Sequence, residues 1–456
     1  MATTLSPIAV AWRVLAEPRA TAISLTQLPP AMRDCAAMLI RFSVENYLCF
    51  GPPVVLDLEG DRGSSATTSQ PTRIALITGA PGAGKSALLR ALGLLRTLTL
   101  GGPRSPLPIL PNRFYGDRPT RLELVVELDA ARFHYALSLT PSEILDESLH
   151  LEARNAASAG GTHRRMIFER HRSGPGRPPV IDLGEGLEGD AGRLRLVAQS
   201  TRPEQPILHE GLRRGLPLFV PLGIWLRDRL QLLLPEAKVV GLAARGARDP
   251  GFLDFLSEYL AVAQLGIRRI GIERQPLPPG YFQSPEEQEE VTAELTRFAD
   301  SFAETAEGEL IALPATDGPF VDIERVRLTQ TVLGPDGAEA ELPGDELPQT
   351  ARRLLHLSPL FYPAPSAPTP PPCALIDDLS HSLTPSLLRA LLTRFGSDAD
   401  LPPNRQLIGF LPAAEAGNPD LARQLTSELQ VLAPTMQTQL LTLGRSSAGS
   451  QLTVAV

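Results

Sequence analysis

Residues Ile77 to Leu92 read ITGAPGAGKSALLRAL, and within them Gly79 to Ser86 satisfy the spacing G-x-x-x-x-G-K-S. Glycines at positions 79, 82 and 84 allow the backbone to turn so that successive N–H groups point at one bound anion. The positive end of a following helix adds to the field at the same place. A loop of this kind would wrap phosphates with Gly79, Ala80, Pro81, Gly82, Ala83, Gly84, Lys85, Ser86 and Ala87. Lys85 would neutralise the β- and γ-phosphates of ATP, and the Ser86 hydroxyl would ligate Mg²⁺. An ordinary glycine turn is the competing use of such residues, and the flanking elements decide between the two. Arg73 to Thr78 is a short apolar run with the look of a buried parallel strand, and Ser86 to Thr97 places Leu88, Leu89, Leu92 and Leu95 at helical spacing. Strand, glycine loop and helix follow in the order that phosphate binding requires.

Holding phosphate is not hydrolysis, which needs a carboxylate to finish the Mg²⁺ shell and a second group to orient the attacking water. Both belong at the end of a buried strand. Cys373-Ala374-Leu375-Ile376-Asp377-Asp378 is an apolar run followed by paired acids in the C-terminal half. Asp377 is therefore the candidate second metal ligand, acting through water, and Asp378 the candidate water-activating group. The competing reading is a strand that ends in a solvated acidic turn. His381, a few residues on, reads as an exposed loop histidine, and His356 as a packing residue on an apolar helix. Arg352 and Arg353 read as a solvated helix face.

The elements that must carry these residues are spread along 456 residues with a net charge of −8. That length suits two or three domains, or one P-loop core with inserted arms, the description favoured here. The absence of a dense Lys/Arg block argues against a large fixed nucleic-acid footprint but leaves room for a local one. Cys35, Cys49 and Cys373 show neither C-x-x-C spacing nor paired histidines, so neither a zinc site nor a disulfide framework is expected, and a reduced, cytoplasmic setting fits best. No apolar run of about eighteen residues predicts a membrane span. Residues 1–37 read as a poorly ordered extension, which makes Met38 a candidate translation start, and the Pro, Ala and Arg usage suggests a bacterial source.

From Met38 to Leu58 two strands are expected around a Gly-Pro-Pro turn. LELVVELD, FHYALSLT, EILDESLHLEA and MIFERH then predict an antiparallel sheet beside the nucleotide core. Beyond Gly186 the pattern turns helical at Arg193 to Ser200, Gly223 to Leu234 and Pro250 to Leu265. A further helix opens at Ser284-Pro285-Glu286-Glu287 with an N-cap serine, an N1 proline and an N3 glutamate. Strand pattern returns at Pro319 to Val332, a helix is expected over Pro348 to Leu360, and a hairpin from Gln437 to the end. The expected organisation is an extension at 1–37, the first half of a head with the P-loop and side sheet at 38–186, an inserted helical arm at 187–318, and the second half of the head at 319–456.

MLIRFSVENYLCF, ITGAPGAGKSALLRAL and ALIDDLSHSLTP together resemble the opening, Walker A and Walker B segments of bacterial AAA-family ATP-binding proteins with an ABC/SMC-like head, the RecF/RloA-like group. The resemblance covers most of Met38 to Val456. It implies an α/β P-loop head that dimerises around ATP, often serving phage defence or DNA-linked restriction with a partner effector. Departures from the family pattern are specific. Asp377-Asp378 stands where the family carries Asp-Glu, so the second carboxylate is one methylene short. Leu383-Thr384-Pro385 replaces Leu-His-Pro. Glu346-Leu347-Pro348-Gln349-Thr350 keeps the Glu and Thr of the signature but not its serine and glycine, which weakens the expectation of a homodimer. Pro412 falls where a switch histidine is usual.

Three functions are compatible with these residues. The first is a slow ATPase whose nucleotide state controls a head dimer or a separate effector. The second is a non-hydrolysing regulator or scaffold that holds ATP as a structural ligand. The third and weakest is a DNA-binding protein of RecF/SMC type. No clustered acidic set of the kind a metal nuclease needs is recognisable.

Overall fold

The computed structural model describes residues 37–59, 71–101, 106–128 except 117, 131–153, 163–172, 177–235 except 186 and 188–190, 240–296, 301–314, 321–362 except 335, 373–397, 405–412, 424, 427, 428, 438–446 and 449–454. The expected extension up to residue 36, the Gly/Ser/Thr stretch at 60–70 and the Pro-rich stretch at 363–372 lie outside the described residues.

Strands β1 (Ala37–Glu45) and β2 (Val54–Asp57) precede β3 (Ile74–Gly79) and helix α1 (Lys85–Leu100). Then come β4 (Thr120–Leu128), β5 (Ala131–Leu139), β6 (Ile144–Ala153), β7 (His163–His171) and β8 (Val180–Leu183). Helices α2 (Ala191–Ser200), α3 (Ile207–Arg213) and α4 (Val220–Ile224) lead through a π-turn to β9 (Leu230–Leu233). The middle of the chain holds α5 (Leu242–Arg248), α6 (Pro250–Ala261), β10 (Ile267–Pro276), α7 (Pro285–Thr296), β11 (Ala303–Thr305), β12 (Gly308–Pro314), β13 (Val321–Leu333), β14 (Glu339–Pro343) and α8 (Gln349–Leu357). It closes with β15 (Cys373–Ile376), α9 (Pro385–Ser397), β16 (Gln406–Pro412) and the hairpin β17 (Thr438–Ser446) and β18 (Gly449–Val454). Among the described residues, none of these helices is long and apolar enough to cross a membrane.

Two compact units result: 240–362 with 382–387, and the remaining described residues. The larger unit is a mixed α/β structure with two sheets. Its first sheet has the order β2-β1-β4-β5-β6-β7-β8, every neighbour antiparallel, as the alternating segments predict. Its second has the order β18-β17-β3-β16-β15-β9, with parallel pairing from β17 through β9. Strands buried on both faces need continuous apolar runs, and Cys373-Ala374-Leu375-Ile376 is buried at every position. Helix α1 buries residues on more than one face, from Leu88, Leu92 and Leu95 to Leu89 and Leu94, because it shares one core with β1 and the parallel strands. A Cβ at Gly93 would sit 3.3 Å from Leu232 of β9, so helix and strand approach closely there.

Buried Gln406, at the start of β16, stitches the two sheets together. Its amide donates to the carbonyls of Leu39 (2.9 Å) and Thr72 (2.8 Å) and its oxygen accepts from the Leu39 amide (2.9 Å). Gly223 to Leu234, expected to be one helix, ends instead as β9. Leu230–Leu233, Leu-Gln-Leu-Leu, is a short, mostly apolar run, for which helix and strand are indistinguishable by periodicity, and pairing with β15 decides for strand.

In the smaller unit, β10-β13-β12-β11 form a sheet with β14 also paired to β13. The segment expected as a helical arm, 187–318, is thus divided: α2, α3, α4 and β9 belong to the larger unit, and α5, α6, α7, β10, β11 and β12 to the smaller. Helix α7 begins as its sequence indicates: the Glu287 amide donates to Ser284 Oγ (3.1 Å), and the Glu287 carboxylate accepts from the Gln283 amide (2.6 Å).

Candidate functional site

The parallel strands bring the two candidate segments to one edge. Strand β3 ends at Gly79, which is in register with Pro412 at the end of β16, and Ile376 of β15 is in register with Gly409 of the same strand. Asp377 and Asp378 follow β15 directly, two inter-strand spacings, or about 10 Å, from the β3 axis. This is the carboxyl edge of a parallel sheet, where α/β proteins place ligands.

Between β3 and α1 the loop uses its glycines for definite reasons. Gly82 and Gly84 take φ of 76° and 108°, the left-handed region that side chains disfavour. A Cβ at Gly84 would lie 2.7 Å from Phe50 and 2.8 Å from Cys49, and one at Gly79 would lie 2.7 Å from the Leu443 carbonyl. Helix α1 then starts at Lys85 with no side-chain cap from Gly84 and no acid in its first turn. Its first N–H groups and dipole are thereby oriented for an external anion. The Lys85 ammonium folds back on the loop, donating to the Gly79 carbonyl and to the Ala80 carbonyl (3.1 Å). Burial pushes its pKa below the usual lysine value, opposed by the charges of Asp377 and Asp378. Both candidate carboxylates therefore act on the candidate phosphate-binding lysine.

Asp377 is buried, with 6 % relative exposure, and its amide donates to the Leu233 carbonyl of β9 (2.8 Å). Its Oδ1 accepts from the Asp378 amide (3.1 Å). Asp378 has φ 44° and a side chain 41 % exposed. Its Oδ1 accepts from Ser380 Oγ (3.3 Å), and its Oδ2 lies 3.6 Å from His381 Nδ1. His381 is exposed in this turn, as expected of a loop histidine, and its ring also neighbours the carboxylate, a contact that leaves no mark in residue spacing.

The donor set suits a phosphate-borne metal rather than a preformed cage. Among the described residues no group of three or more His, Cys, Asp and Glu could hold an ion. Mg²⁺ that arrives with phosphate oxygens and water needs only one or two protein ligands, a number that Ser86 and Asp377 could provide.

The remaining candidates lie in the smaller unit. Leu347, in place of the signature serine, is buried, with 2 % exposure. Thr350 donates to the Ser382 carbonyl (2.8 Å) and Arg352 Nε to the Leu347 carbonyl (2.8 Å). Arg353 is not on a solvated face: it is buried, 3.4 Å from His356 Nδ1, while Arg352 next to it is exposed. The helix α8 turns Arg353 inward because residues one apart point about 100° from each other.

Comparison with solved structures finds an SMC head domain from Thermotoga maritima (10 % identity, 92 % of this chain and 99 % of that one, TM-score 0.38). It also finds an SmcHead bound to the C-winged helix domain of ScpA (11 % identity, 91 % and 98 %, TM-score 0.40). No curated protein matches. The family profile described as "AAA domain, putative AbiEii toxin, Type IV TA system" matches residues 74–408, a span that runs from β3 through the loop and the acidic turn into β16. The chain belongs to this AAA domain family.

Proposed function

We propose that this chain binds Mg·ATP on the loop Gly79–Ala87 and hydrolyses it slowly, its nucleotide state controlling the association of two heads or of a separate effector. The observation supporting this reading is the position of Lys85, where two loop carbonyls and the charges of Asp377 and Asp378 converge. Phosphate oxygens would draw the ammonium off those carbonyls. Ser86 and Asp377 would hold Mg²⁺, which would supply charge neutralisation to the phosphates. Asp378 would orient the attacking water with a side chain one methylene shorter than glutamate. Displacing such a group by about 1 Å costs on the order of a hundredfold in rate, so turnover is slow while binding is intact. Of the expected arm, residues 187–318, the part that lies in the smaller unit would pass the nucleotide state on, and phage defence is the setting that the sequence resemblance implies.

A second reading, a non-hydrolysing regulator, is favoured by one observation. Pro412 is in register with Gly79, at the mouth of the loop, and proline has no N–H to offer a γ-phosphate. Titration with a fluorescent ATP analogue and phosphate release on the same sample separate the two. The first reading expects Mg²⁺-dependent binding and weak turnover, both lost in Lys85→Ala. Binding without Lys85-dependent turnover supports the second, and no binding at all contradicts both.

A further inference from the structure

We propose that His381 is a positioning residue: with Ser380 it clamps the Asp378 carboxylate in the place from which it orients water. The proposal rests on the nucleotide-hydrolysing reading above. Its basis is the turn that follows β15. Asp378 and Ser382 both adopt positive φ, 44° and 57°, a conformation unusual for residues with side chains and concentrated at functional sites. The turn closes through the His381 amide, which donates to the Asp378 carbonyl (2.9 Å). Leu379 anchors it: the side chain is buried and its amide donates to the Phe410 carbonyl of β16 (2.8 Å). Gly409 makes room for that anchor, since a Cβ there would meet Leu379 Cδ2 at 2.4 Å.

With Leu379 fixed inward, Asp378 and Ser380 are partly exposed and His381 is exposed. Ser380 Oγ donates to Oδ1 at 3.3 Å, and His381 Nδ1 lies 3.6 Å from Oδ2, beside the second oxygen but beyond hydrogen-bond distance. A short carboxylate has fewer rotamers to lose than glutamate but also less reach, so its placement depends on what grips it. An imidazole three residues on, presented by a strained and anchored turn, supplies that grip.

The test uses the full chain with three readouts: phosphate release at saturating Mg·ATP, binding of a fluorescent ATP analogue, and the imidazole ¹H–¹³C resonance of His381 in nucleotide-free protein. His381→Ala is expected to lower kcat about tenfold or more while the nucleotide Kd stays within about twofold. His381→Asn, whose amide can donate to the same oxygen, is expected to recover part of the loss. Asp378→Asn is expected to shift the His381 resonance without nucleotide present. Wild-type kcat in His381→Ala, where Lys85→Ala is dead, overturns the proposal alone, as does a His381 resonance indifferent to Asp378→Asn. Phosphate release that is absent, or that survives Lys85→Ala, overturns the underlying reading and the proposal with it.

Discussion

Two strand ends on the same sheet edge are built in opposite ways. After β3 the chain turns on Gly82 and Gly84, whose left-handed backbone carries no steric penalty. After β15 it turns on Asp378 and Ser382, where a similar backbone costs on the order of 1 kcal/mol per residue. The first turn aims main-chain N–H groups, which every residue but proline possesses. The second aims particular side-chain atoms, for which one methylene matters. On the proposed function, nucleotide binding would rest on backbone N–H groups together with Lys85, and turnover on a few side-chain positions that small displacements would disable.

This contrast breaks if both ends respond alike to substitution. Asp378→Asn is expected to lower phosphate release on the order of a hundredfold and to leave affinity for an ATP analogue unchanged. Comparable losses in both would mean that the acidic turn also shapes the binding loop. Gly84→Ala should do the reverse at the other end. It forces a side chain into positive φ against Phe50 and Cys49, costing about 1–3 kcal/mol and weakening nucleotide binding, as a thermal melt and a titration would report. Gln406→Ala addresses the scaffold beneath both ends. Orphaning the Leu39 amide costs about 1–3 kcal/mol in denaturant stability, with nucleotide affinity little changed in the folded protein.

A further prediction serves as a control in the smaller unit. Burial, with Arg353 second, lowers the His356 pKa from 6.5 to about 4. The unfolded chain therefore takes up this proton first. The contribution to stability is complete above pH 6.5, declines as pH falls from 6.5 towards 4, and changes no further below that. His356→Gln should flatten that stretch of the stability profile and leave nucleotide binding at neutral pH untouched. A profile of unchanged slope would show that His356 is not held neutral.

The loop half of the candidate site was legible in the sequence because its logic is local. Strand, glycines, lysine and helix are consecutive, and the acids after a four-residue apolar strand are equally so. The alternating strands of the antiparallel sheet and the terminal hairpin were legible for the same reason. What escaped depends on contacts between distant segments or on backbone angles. Leu230–Leu233 is a strand only because β15 lies beside it. Ile267, Ile270 and Ile272 of β10 give a broken alternation that a region of strong helical signals conceals, and pairing with β13 makes it a strand. Cys49 and Phe50 reach Gly84 from a separate turn. His381 meets Asp378 through a turn with positive φ, which spacing alone does not encode.

The separation of binding from turnover is tested most directly by measuring both on one sample, with a fluorescent ATP analogue titrated in the presence of Mg²⁺ and phosphate release then followed, for wild type, Lys85→Ala and Asp377→Ala. The expected result is Mg²⁺-dependent binding and slow phosphate release in wild type. Lys85→Ala should lose binding by about a hundredfold, or ~2.7 kcal/mol, and turnover with it, and Asp377→Ala should lose turnover. Equal nucleotide affinity in wild type and Lys85→Ala would contradict the account at its base.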